Sequence, residues 1–133
     1  MNNWVMFFMM VASGLLSTMN LWVNDWKDIR WSLNDIYMTS LMTGWMFFFM
    51  GVYYRSISMG SIGGLMVLLS IFAIRTQWGI HEKQYKTSMI PHHSMAVFMS
   101  KQLLKKQTTS KDCKSFAKQV IQTQEQEIQF LKT

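Results

Sequence analysis

His92 and His93 stand between two methionines, Met89 and Met99, in a segment that also holds Pro91. Neutral imidazole nitrogen and thioether sulfur suit soft or borderline metal ions, Cu(I) above all. Two further polar residues, Gln124 and Glu127, recur later in a similar pattern. Read as helices, the two segments run over about 81–106 and 111–132, with 107–110 as the turn. On the first, Tyr85, Met89, His92, Ala96, Met99 and Leu103 recur at spacings of three and four and so share one stripe. His93 lies one residue around, about 100° away. On the second helix, Ala117, Val120, Ile121, Gln124, Glu127, Ile128 and Leu131 form the matching stripe, so Gln124 and Glu127 occupy positions where an apolar core would place leucine. An uncompensated carboxylate there is costly. A histidine pair, a metal ion or a cation from a second copy would each compensate Glu127. Without metal, the same residues form a polar layer in which the histidines bond to Gln124 and Glu127 and fix the packing register.

The pattern gives no argument for catalysis, and no catalytic residue is assigned. Inward Glu-x-x-His pairs of the di-iron type are missing: Glu82 is followed at that spacing by Tyr85, Glu125 by Ile128 and Glu127 by Phe130. There is no phosphate loop and no Cys-x-x-Cys. Cys113 is the single cysteine and has no internal partner. His81-Glu82 reads as a solvated pair.

Two antiparallel helices bury little apolar surface alone, so the hairpin is expected to complete a four-helix bundle by dimerisation. Ser110 is placed to cap the second helix. Pro91 removes a backbone donor and disfavours helical geometry at Ile90, which predicts a kink or a restart there.

What holds this hairpin is a membrane. Of the twenty charged side chains, seven precede residue 76 and thirteen crowd into the remainder, so a mean hydropathy of +0.08 conceals two unlike halves. Uncharged runs cover 1–24, 36–54 and 56–74. At ~1.5 Å per residue, such lengths approach the hydrocarbon thickness of a bilayer. Three spans are expected, near 4–22, 36–54 and 57–74, with Trp4, Trp22, Tyr37, Tyr53, Tyr54 and Trp78 at interfacial depth. The fold class is therefore all-α, with three transmembrane helices (1–78) followed by an amphipathic helical hairpin (79–133). A soluble globular domain is excluded. No ionisable residue lies inside a span, which argues against a proton relay or ion pump.

Twelve of the thirteen basic residues fall on the side that carries 23–35 and everything from Arg75 onward. The hairpin is thus expected on the positive-inside face of a multi-pass protein. Gly60 and Gly64 form a small-xxx-small pair that favours close helix packing, read as internal rather than between copies. Met38, Met42, Met46 and Met50 make an i, i+4 stripe with no polar companion, read as flexible apolar packing. Lysines 101, 105, 106, 111, 114 and 118 surround the hairpin turn as a solvated face. No aromatic interleaving accompanies them, and no nucleic-acid partner is expected.

The run Met89-Ile90-Pro91-His92-His93-Ser94-Met95-Ala96-Val97-Phe98-Met99 resembles the signature of the domain-of-unknown-function 305 family. The later Ala117, Ile121, Gln124-Glu125-Gln126-Glu127-Ile128 are similar to its second motif. Tyr37, Met38, Leu41 and Met42, and then Arg75 and Gln77, look like its short membrane-anchored branch. The resemblance covers roughly 31–133 and implies a ferritin-like helical bundle with copper as the cofactor, if any. It also implies Met89, His92, His93 and Met99 as ligands, with Gln124 and Glu127 behind them or as additional ligands. Two departures stand out: Leu131 replaces the family's late methionine, and no tryptophan-containing turn follows it. A single hairpin implies a homodimer or higher homo-oligomer, with the lipid bilayer as the other partner.

Overall fold

The computed structural model describes residues 2–133, and among them all the regular secondary structure is helical. Five α-helices follow in order: α1 (Asn3–Leu16), α2 (Leu33–Tyr53), α3 (Ile57–Thr76), α4 (Glu82–Leu104) and α5 (Lys111–Leu131). Short 3-10 turns at Met19–Trp22 and Trp26–Asp28 lie between α1 and α2. The chain divides into two units. One holds the residues up to Thr18 together with Ser32–Ile80, and the other holds Met19–Trp31 with His81–Thr133.

In the first unit, α2 and α3 form an antiparallel pair with α1 against α2. Three segments are long and apolar enough to cross a membrane: Asn3–Trp22, Leu33–Tyr53 and Ile57–Thr76. The first span differs from the expected continuous helix. α1 stops at Leu16, and the span continues as a turn at Met19–Trp22 that belongs to the other unit. The polar cluster Ser17, Thr18 and Asn20 accounts for the break. The Asn20 amide brackets Arg30, donating to its carbonyl at 2.9 Å and accepting from its N–H at 3.0 Å. That bracket holds the chain in a loop rather than a helix.

Glycine sets how closely α2 and α3 approach. A Cβ on Gly51 would lie 2.2 Å from the Gly60 nitrogen, and one on Gly63 2.3 Å from the Phe48 nitrogen. Gly60 therefore packs within the chain, against Gly51, whereas Gly64 meets only the Phe48 ring at 3.7 Å. Ser70 donates to Ser40 across the same pair at 2.9 Å, which satisfies both hydroxyls away from water. Below them Met10, Phe47 and Met59 form a small core, with Met6, Phe7 and Met50 beside it. The α2–α3 turn places Arg55 in left-handed geometry (φ 53°), and Ser56 closes it by donating to the Gly51 carbonyl at 2.8 Å. The methionine stripe divides. Met50 joins the small core, whereas Met38, Met42 and Met46 are exposed on the lipid-length face.

The second unit contains the hairpin and one element that periodicity did not anticipate. The 19–31 loop packs on α4 as a third layer. This unit takes in Met19–Trp31 together with His81–Thr133. Pro91 neither ends α4 nor restarts it, because the helix runs unbroken from Glu82 to Leu104 with Pro91 buried inside. Ser110 caps α5, its hydroxyl accepting from the Cys113 N–H.

Candidate functional site

α4 turns a different face inward from the one its apolar spacing suggests. Its buried residues are Ser88, Ile90, Pro91, Ser94 and Val97, while Tyr85, His92 and Met99 are exposed. The cause is the third layer. With α5 on one side and the 19–31 loop on the other, α4 buries an arc centred between them, and small polar residues fit where the loop approaches. Ser94 is fully buried, donating to Asp28 Oδ2 at 2.7 Å and accepting from the Asn24 N–H at 2.8 Å. Asp28 is itself buried, and its other oxygen, Oδ1, takes Lys132 Nζ at 2.5 Å. One carboxylate thus ties the loop, α4 and the end of α5 together.

The rotation makes His93, rather than His92, the histidine that faces α5. His93 Nδ1 is 2.9 Å from Glu127 Oε2. The approach is an ion-pair distance but lies off the line of a hydrogen bond, so Nδ1 is buried without a well-aligned partner. Burial lowers the His93 pKa below its ordinary value, and nearby His92 adds to this. The Glu127 carboxylate opposes it by its charge, and Gln124 opposes it weakly. Glu127 is not the buried carboxylate expected from its stripe position, since its side chain is 46% exposed. The desolvation cost falls on the imidazole instead.

The expected ligands do not converge within one chain. His92 and His93 are edge-to-face neighbours with ring centroids 5.9 Å apart. Met89 is half-buried one turn earlier, and Met99 is exposed. Met99 lies seven positions beyond His92, which is about 10 Å along the helix axis. Copper bound by both would need donors within a few Å of each other. Among the described residues, no three His, Cys, Asp or Glu side chains come together as a metal group. Gln124 is half-buried near His93, and Glu127 is its direct neighbour.

Sequence reasoning missed Asn24, Asp28, Ser94 and Lys132. Two signals could have drawn attention to them: a serine inside the histidine motif, and an acidic residue in a loop otherwise read by its charge alone.

These features define a helical protein with three membrane-length segments and a hairpin unit tied by polar contacts. The chain belongs to the domain-of-unknown-function 305 family, whose family model matches residues 55–133. That match covers α3, α4 and α5. The chain is also 43% identical over 137 residues to an uncharacterised protein of Acanthamoeba polyphaga mimivirus, covering 96% of this chain and 89% of that one. No solved structure matches it.

Proposed function

We propose that the protein is a multi-pass membrane scaffold, in which the polar contacts of the hairpin unit set its register without a bound metal. The observation that carries this reading is the His93–Glu127 contact across α4 and α5, at 2.9 Å. Polar layers of this kind specify one packing arrangement at some expense of stability. The Asp28–Ser94–Lys132 cluster extends the layer to the 19–31 loop. Between that loop and the hairpin the chain runs through α2 and α3, and two crossings return it to the same side. The excess of basic residues assigns this side to the positive-inside face.

The test is full-length protein in detergent, followed by circular dichroism and limited proteolysis before and after exhaustive chelation. Unchanged helicity and cleavage pattern support the scaffold. Collapse of α4 and α5 on chelation overturns it.

A second reading is a copper site shared between two copies. It is favoured by the exposure of His92 and Met99 on the same side of α4 as half-buried Met89, a face that a second hairpin would cover. This reading predicts that wild type competes with a chromogenic chelator for Cu(I) as a dimer. Equal competition by a His92→Ala/His93→Ala variant excludes it.

A further inference from the structure

The base of the hairpin unit carries a basic cleft whose residues come from three separate stretches of chain. Arg30 belongs to the 19–31 loop, Lys83 and Lys86 to the first turns of α4, and Lys132 to the end of α5; the cleft encloses about 590 Å³. Against these four cations, Glu82 is the one acidic side chain among the lining residues. Some of the cations are already engaged. Lys86 Nζ pairs with Glu82 at 2.9 Å and lies 5.6 Å from the Phe130 ring centre. Lys132 pairs with buried Asp28. Arg30 spends Nη1 on the Lys27 and Ile29 carbonyls, at 2.8 and 2.7 Å, which fixes the guanidinium plane and leaves its other donors for a ligand. Lys83 makes no ion pair among the described residues. His81, at the α4 N-cap, supplies no side-chain hydrogen bond to the first turn of that helix, so the positive end of the helix dipole adds to the cleft.

Short stretches of chain link the residues of this cleft to the apolar helices in sequence. Trp31 and Ser32 alone separate Arg30 from the first residue of α2, and residues 77–81 alone separate α3 from α4. At no more than ~3.5 Å per residue, those links reach roughly 10 and 20 Å. The lysines around the hairpin turn, equally basic, have no such tether.

We propose that the cleft binds a phosphate-bearing anion, supplied by the headgroup of an acidic membrane lipid. Clustered cations recognise such headgroups by charge and hydrogen bonding together. The proposal rests on the multi-pass reading above.

The test uses full-length protein in detergent micelles, titrated with phosphatidylglycerol or phosphatidylcholine and read by native mass spectrometry. Parallel titrations contain inorganic phosphate. Wild type should retain one phosphatidylglycerol in preference to phosphatidylcholine. Lys83→Gln should lower that preference about fivefold, and Lys83→Gln/Lys86→Gln by about twentyfold. Lys105→Gln/Lys106→Gln, with the same change in charge at the hairpin turn, should leave it intact. Circular dichroism establishes that each variant is folded. The proposal is overturned if wild type shows no preference, or if both double variants lose it equally. Inorganic phosphate binding with the same lysine dependence, while phosphatidylglycerol does not bind, would overturn the lipid as source and leave a free phosphate as the ligand. Alkaline carbonate extraction separates this failure from that of the membrane reading. A chain released by carbonate fails the membrane reading itself, whereas a chain that stays in the bilayer without lipid preference fails only the cleft.

Discussion

Removing the Lys132 ammonium should free the 19–31 loop from the hairpin unit about thirty times more often than in wild type. Asp28 is 5% exposed and keeps only the Ser94 hydroxyl once its cation is gone. Deleting one partner of a fully buried pair costs about 3–5 kcal/mol, because a bare charge is left in place. The Lys132 side chain is 29% exposed, so water screens part of the interaction and the expected loss falls to about 2 kcal/mol. At a tenfold change per 1.4 kcal/mol, this is roughly thirtyfold in the open population. Trypsin reads that population at Lys27, which is exposed within the same loop, provided reclosure outpaces cleavage. Lys132→Ala in detergent-solubilised full-length protein should therefore be cut at Lys27 about thirtyfold faster. Adding Asp28→Asn should recover most of the difference, because the uncompensated charge disappears with it. Lys132→Arg should stay within a few-fold of wild type. Cleavage of Lys132→Ala within about threefold of wild type would show that the carboxylate does not hold the loop.

Two further outcomes follow from the same geometry. His93 is held below its ordinary pKa of 6.5 chiefly by burial, so the unfolded chain takes up its proton before the folded one does. Stability should be full above that value, fall as pH drops through it towards the lower folded pKa, and then level off. His93→Gln should flatten this part of a melting-temperature profile between about pH 5 and 7.5. In the membrane-length unit, Gly51→Ala and Gly63→Ala each drive a methyl group into opposing backbone. Each should lower thermal stability by about 1–3 kcal/mol or more. Gly60→Ala, with nothing nearer than 3.9 Å, should be nearly neutral, and equal effects at all three positions would refute the packing account.

The polarity of successive segments was legible because lipid-length helices need long uncharged runs, and 36–54 and 57–74 agree closely with α2 and α3. The hairpin turn and the Ser110 cap were legible for the same local reason. The rotation of α4 was not. Periodicity identifies the most apolar stripe of an isolated helix, and Tyr85, Met89 and Met99 form such a stripe. α4 instead buries Ser88, Ser94 and Val97, since a polar loop distant in sequence packs there. The glycines show the same division. Gly60 and Gly64 were visible as a spaced pair, yet the tightest approaches belong to Gly51 and Gly63, which no local spacing singles out.

The sequence by itself determined the helical class, the three apolar segments, the polar hairpin and the residue types available for chemistry. Each of these follows from composition and short-range periodicity. Only the tertiary structure decided that His93 meets Glu127 while His92 and Met99 face outward. The same holds for Asp28, which gathers Ser94 and Lys132 from positions 66 and 104 residues away. Helix rotation and long-range ion pairing depend on which surfaces pack together, and a difference of one residue around a helix, about 100°, exchanges a buried imidazole for an exposed one.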